Sequence, residues 1–251
     1  MTDHSAMRLG RKPAQVDARI PHLSKHMPMG AVIPKAAVDW TAAVKSWPML
    51  ANDVHSDCTS AGCLHLLQLW LNNNGFDYTP TDAEALALYS ATSDYPKSDD
   101  GAVEQTVLSY WAKTGIPGPF NTDIISFASL NPQNINELKL AVENFGGCYL
   151  GIALPISAQT QDIWDVTPAG MTGVGMPGSW GGHCVAAVAY DEQYVTVVTW
   201  GKLLKVTPAF LEIYLDEAYA VVSRNWLADS GISPPGLNWT ALMEDMKAIT
   251  A

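Results

Sequence analysis

Charge is scarce in this chain. Of its 251 residues only 16% are Asp, Glu, Lys or Arg, while 48% are apolar, a balance that suits a folded, soluble protein with a sizeable core. No apolar run approaches the roughly 20 residues that a membrane helix needs, so no membrane partner is expected. Acidic residues outnumber basic ones by 25 to 14, for a formal charge of −11. That balance argues against gripping a phosphate backbone, and no nucleic-acid partner is expected. Cysteine is sparse too: Cys58, Cys63, Cys148 and Cys184 are too few and too irregularly spaced for a disulfide framework. No CxxC pair and no HExxH spacing occurs, so neither a metal nor another cofactor is expected. The stretch Met1 to Lys12 is polar and of mixed charge, unlike a secretory signal. Free thiols in a reducing, intracellular compartment are expected.

Residues 1–35 are broken by Pro13, Pro21, Pro28 and Pro34 and are expected to form an extended arm. Arg8, Arg11, Lys12, Arg19 and Lys25 gather there, with His22 and His26 interleaved. Two readings stand: a solvated, poorly ordered tail, or a docking arm for protein assembly partners. One domain is expected over 36–226. Its first half carries helical spacing at about 58–72, 82–90, 102–114 and 135–145, the last stopped by Gly146-Gly147. After Gly147 come short apolar runs of strand length at 148–155, 183–190 and 194–200, with possible extensions of the sheet at 202–206 and 218–223 around a short helix at 208–214. Helices first and strands afterwards indicate an α+β fold. Beyond Trp226, residues 227–251 read as a linker broken by Pro234-Pro235-Gly236, then an amphipathic helix at about 239–249.

Two residues carry candidate chemistry. Cys58 opens the first long helix, where peptide dipoles favour a negative sulfur. His183 opens an apolar strand after Gly181-Gly182, a pair that leaves space beside it for another backbone or a substrate. Asp57 precedes the helix as an N-cap type. A charged Asp57 would raise the thiol pKa and oppose the helix dipole. His65 lies seven residues after Cys58, too far along the axis to reach it, and reads as a core or interface histidine. Trp180 and Trp200 bracket His183 in sequence and are expected to shield its ring. Together with Gly181 and Gly182 they read as cleft wall, and the Gly- and Pro-rich stretch Thr167–Gly182 as a mobile rim.

These residues resemble, in order, the papain-like cysteine proteases. Ala37-Val38-Asp39-Trp40 looks like the opening of their mature domain. Asn52 lies six residues before Cys58, where that family places its oxyanion-hole glutamine, and Cys58-Thr59-Ser60-Ala61-Gly62 is similar to the nucleophile helix start. Asp99-Asp100-Gly101 and the segment Leu138 to Ala153 also match in place. His183-Cys184-Val185-Ala186-Ala187-Val188-Ala189-Tyr190 follows the catalytic-histidine strand, and Trp200-Gly201 falls where the family has Asn-Ser-Trp-Gly. The resemblance implies a papain-like proteinase fold, with a helical N-terminal half and an antiparallel β C-terminal half. Cys58 would be the nucleophile, His183 its base and Asn52 an oxyanion donor.

The orienting asparagine is missing. Matching on Trp200 puts Val198 in its place, whereas matching on distance from His183 puts Thr199 there, a hydroxyl able to accept the ring N–H. Asp165 is a further candidate if its loop folds inward. The expected function is a hydrolase of peptide or isopeptide bonds acting on a peptide or protein substrate through Cys58 and His183. One alternative is a retired papain-like domain serving as a structural part, such as a phage virion component. Another is an amidase or transglutaminase-type acyl transferase. The resemblance extends to bacterial and phage-encoded proteins, so the bacterial cytoplasm, or a phage particle, is the expected location.

Overall fold

The computed structural model describes residues 3–15, 17–27, 32–118, 122–227 and 244. The expected amphipathic helix at about 239–249 lies outside the described residues, apart from Glu244. Among them, α1 (Leu23–His26) and β1 (Val38–Asp39) precede three helices, α2 (Cys58–Asn73), α3 (Asp82–Thr92) and α4 (Glu104–Thr114). Then follow β2 (Ile124–Ser129), α5 (Ile135–Phe145), β3 (Cys148–Leu154), β4 (Ile163–Trp164), β5 (Gly181–Tyr190), β6 (Val195–Thr199) and β7 (Lys202–Val206). The described order closes with α6 (Pro208–Tyr214), β8 (Leu215–Ser223) and α7 (Arg224–Leu227). The α+β order expected from the sequence is the order found. Strand β2 was not anticipated, and it forms by pairing with β8 across about 90 residues, a long-range partnership that local pattern does not reveal.

Helix α2 is the axis of the molecule. Apolar residues occupy most of its faces, so it is buried from Cys58 to Leu71, as a helix apolar all round must be. One side packs with α3 and α4 in a core that includes Trp70, Trp111 and Tyr89. The other side meets β5. Gly62 permits that approach, because a Cβ there would lie 3.0 Å from the Tyr149 ring and 3.1 Å from the Cys184 sulfur. The result brings the N-terminus of α2 against β5.

The sheet runs β2-β8-β3-β5-β6-β7-β4, with β1 added beside β5. Its side chains divide two cores by strand alternation. Cys184, Ala186 and Val188 face the α2 side, whereas Val185 and Ala187 face the core of Trp164, Phe210 and Tyr214. In the middle of the sheet Gly151 of β3 pairs with Cys184 of β5 on one side and Glu217 of β8 on the other. That register sets an acidic residue beside the His183–Cys184 corner.

The arm departs from the solvated, poorly ordered reading. Arg11, Ile20, Leu23, His26 and Met27 are buried, and Ser129 donates its backbone N–H to the Pro21 carbonyl at 2.8 Å. Burial of apolar and paired charged side chains offsets the entropy of ordering the segment.

Candidate active site

Cys58 stands at the first turn of α2 and is 1% exposed. Its sulfur accepts the Cys184 backbone N–H at 3.4 Å. Burial pushes the thiol up to about 12, against the lowering pull of the Cys184 and Gly10 backbone amides. His183, also 1% exposed, is held on three sides. Its Nε2 lies 2.7 Å from Thr199 Oγ1. Its ring stacks on Trp200 at 4.6 Å and 20°, and Trp164 meets it edge-on at 6.4 Å. Burial, with the Arg11 charge added, lowers the imidazole to about 3. Both groups are therefore neutral at pH 7 in this state. The second ring nitrogen, Nδ1, is buried without a hydrogen-bond partner.

The choice between Val198 and Thr199 is decided by the turn that follows β6. Trp200 and Gly201 take positive φ values of 46° and 70°, the signature of a tight hairpin turn. It leaves Thr199 at the end of the strand facing the imidazole, with Val198 in the apolar core. The left-handed backbone at Trp200, unfavourable for so large a residue, lays its indole over His183, and Trp180 packs on that indole at 5.6 Å. Asp165 is not a third member: its carboxylate accepts the Val166 N–H and the Thr207 hydroxyl, both at 2.8 Å. The stretch expected as a mobile rim is tied to α6, where the Tyr214 hydroxyl donates to the Gly175 carbonyl at 2.7 Å. His65 sits in the core, with Nε2 at 3.0 Å from the Pro48 carbonyl.

Asp57 occupies the N-cap position of α2 but makes no capping hydrogen bond, contrary to its expected role. It is fully buried, and neither carboxyl oxygen has a partner of ordinary geometry. Burial pushes it up to about 8, against the lowering influence of Asn52. At neutral pH the carboxyl is mostly protonated, so the charge that would oppose the thiolate is largely absent. Folding then favours protonated Asp57, and stability from this group is complete below about pH 4 and falls as pH rises toward 8. Asp57→Asn is expected to flatten that slope and stabilise the fold by about 2–5 kcal/mol at pH 8, measured by urea unfolding between pH 4 and 8. A slope unchanged by the substitution would refute the assignment. Asn52 is engaged with its own loop, donating from Nδ2 to the His55 carbonyl at 3.2 Å.

Sequence reasoning missed what covers this site. The arm runs straight across it. His4 stacks on Trp200 at 5.2 Å, and the Trp200 indole N–H donates to the Arg8 carbonyl at 3.2 Å. Arg11 donates its backbone N–H to the Gly182 carbonyl at 3.1 Å. On the opposite wall Ala102 and the arm exchange two bonds: Ala102 N–H to the Gly10 carbonyl at 2.8 Å, and Lys12 N–H to the Ala102 carbonyl at 2.9 Å. Gly10 fits because it has no side chain; a Cβ there would overlap the Ser56 carbonyl. Gly182 likewise has no room for a Cβ, which would meet the Arg11 carbonyl. The space expected beside Gly181-Gly182 is thus filled by the chain's own backbone. The signal available in the sequence was Gly10-Arg11, a glycine followed by a basic residue in an otherwise acidic protein.

No protein-family profile matches the chain, and no curated protein matches it. Solved structures do. Xylellain, a cysteine protease from Xylella fastidiosa, superposes with a TM-score of 0.67 at 14% identity, over 89% of this chain and 98% of its own. The fold is papain-like. Procathepsin B S9 from Trypanosoma congolense gives a TM-score of 0.60 at 12% identity, covering 87% of each chain. The bromelain protease from Ananas comosus, in complex with the E64 inhibitor, gives 0.52 at 13% identity, over 75% of this chain and 99% of its own. At such identities the papain-like likeness is one of architecture.

Proposed function

We propose that this chain is a cysteine peptidase held latent by its own N-terminal arm. The observation that carries the reading is the division of labour on His183: Nε2 is anchored to Thr199 and Nδ1 has no hydrogen-bond partner. A threonine hydroxyl that accepts the Nε2 proton selects the tautomer whose Nδ1 is a free base. Cys58 at the start of α2 provides the thiol, and the helix dipole favours the thiolate it becomes.

With the arm displaced, water reaches the site and the burial that holds thiol and imidazole neutral is relieved. The Cys58 proton passes to His183 Nδ1 and the sulfur attacks the substrate carbonyl carbon. The oxyanion takes the Cys58 backbone N–H, joined by the Asn52 amide once that leaves the His55 carbonyl. As the C–N bond breaks, His183 returns the proton to the leaving amine. Water, losing a proton to His183, then hydrolyses the thioester and restores the thiol. Latency follows from Gly10 and Arg11 standing where a substrate backbone would enter between Gly182 and Ala102.

Thr199→Val keeps the shape and removes the hydroxyl. The loss of an oriented tautomer is expected to lower kcat by about 10- to 100-fold with little change in KM, read from steady-state hydrolysis of a fluorogenic peptide with the arm loosened by Arg11→Glu in both proteins. A kcat equal to that of the parent would remove Thr199 from the mechanism. The reading as a whole is tested by peptide hydrolysis that depends on Cys58 and increases when the arm is loosened.

A further inference from the structure

The Arg11 side chain lies in a pocket built entirely by the body of the protein. Its Nη1 donates to Glu217 Oε1 at 2.6 Å and its Nη2 to Asp216 Oδ2 at 2.7 Å. The guanidinium side chain is only 3% exposed. Glu217 is pinned from behind, since its Oε2 accepts the Tyr219 hydroxyl at 2.8 Å, which in turn accepts from Gln105 Nε2 at 2.9 Å. Glu104, at the first turn of α4, is fully buried, and neither of its oxygens has a hydrogen-bond partner of ordinary geometry. It reaches the same place: a Cβ on Gly151 would lie 2.9 Å from both Glu104 Oε1 and Arg11 Cδ and would overlap Glu217 Cγ. Gly151 therefore makes the room that the side chain fills.

We infer that this cavity is a substrate side-chain pocket selective for arginine, with Glu217 and Asp216 as its ligands, Glu104 as its back wall and Gly151 as its floor. The inference rests on the reading of the cleft as a peptidase site whose arm can leave. Three physical points support it. Gly10, whose backbone amide acts on the Cys58 thiol, immediately precedes the residue in the pocket, so the pocket serves a position adjacent to the reacting centre. Every ligating group belongs to α4, β3 or β8, so the pocket remains when the arm departs. Departure would leave Glu217 and Glu104, whose carboxyls burial already biases toward the protonated form, without the cation that favours their charged form, and a substrate guanidinium would restore that pairing. Arginine fits better than lysine, because Nη1 and Nη2 reach two carboxylates at once whereas an ammonium is a single point. An apolar side chain would leave the carboxylates dry and unpaired.

The test uses the full-length chain carrying Arg11→Ala, and in parallel Arg11→Lys, which keeps a cation for folding. The readout is the rate at which iodoacetamide alkylates Cys58, located by peptide mass spectrometry. The competitors are acetyl-Leu-Gly-Arg-Lys-amide and the same peptide with citrulline, a neutral isostere, in place of arginine. The arginine peptide is expected to slow alkylation at least 10-fold at a concentration where the citrulline peptide has no effect. Adding Glu217→Gln is expected to erase the difference. Equal protection by the two peptides, or alkylation that neither peptide nor variant alters, overturns the proposal. A panel of fluorogenic peptides on the same variants separates the two ideas. Arginine-selective protection without hydrolysis of any substrate leaves the pocket standing and removes the peptidase. Hydrolysis indifferent to arginine does the reverse.

Discussion

Arg11→Glu is expected to expel the arm and increase Cys58 alkylation by iodoacetamide at pH 7 by about 10²–10³-fold. The substitution places a fourth carboxyl among Glu104, Asp216 and Glu217, where the native guanidinium is 3% exposed and doubly paired. The present arrangement raises the Arg11 pKa, since the three carboxylates outweigh the opposing effect of burial. Breaking a buried pair by removing one partner costs about 3–5 kcal/mol, and each 1.4 kcal/mol is a tenfold change in the population of the open form. The other contacts of the 4–12 stretch over the cleft (the His4, Gly10, Arg11 and Lys12 backbone bonds, the Trp200–Arg8 bond and the His4–Trp200 stack) are ordinary in strength and do not compensate, while the buried Ile20, Leu23 and Met27 keep the later part of the arm in place. Hydrolysis of a peptide substrate should rise in parallel, because the same displacement clears the path to Cys58. A folded Arg11→Glu protein, verified by circular dichroism, whose alkylation rate equals that of the parent would exclude the arm as the element that restrains the thiol.

Cys58→Ala is expected to abolish hydrolysis in the Arg11→Glu background, with a loss of at least about 10³-fold. His183→Ala should lose about 10²–10⁴-fold, the range for a positioned acid–base. The two effects should not add, because each removes the same covalent step. The double variant is predicted to be no slower than Cys58→Ala alone. His183→Ala also opens a cavity under Trp200 and leaves the Thr199 hydroxyl without its partner, so its thermal stability falls. Cys58→Ala removes a buried thiol and the weak acceptor it offers the Cys184 N–H, and is expected to keep the parent melting temperature within a few degrees. Hydrolysis that survives in Cys58→Ala would assign the activity to another group.

Most of the architecture was legible in the chain because it is written locally. Helix α5 and strand β7 have the expected limits, since an amphipathic stripe ending at Gly146 and a short apolar run each carry their own period. Strand β2 was not legible: its partner β8 is far away in sequence. Cys58 and His183 stood out at a helix start and a strand start, but their roles, and Thr199 as a candidate for the missing asparagine, came from the ordered resemblance to papain-like proteases. The pattern left Val198 and Thr199 open, because a one-residue shift reverses the face of a strand side chain. The left-handed turn at Trp200 and Gly201 decides it.

What the sequence determined by itself is the α+β order, the places of Cys58 at a helix start and His183 at a strand start, and the material of the arm: its prolines, its glycine and its basic residues. Its composition also shows an acidic protein with few charges. Tertiary structure alone decided where the arm lies and what it does there. The Arg11 charge and the three carboxyls that receive it are separated by about 90 residues or more in sequence, and no local rule couples them. Only the register of β3 between β5 and β8, with Gly151 empty at its centre, gathers them beside Cys58. The same burial that makes the pocket holds the thiol and imidazole neutral. The protonation state of these two groups is therefore set by packing as much as by residue type.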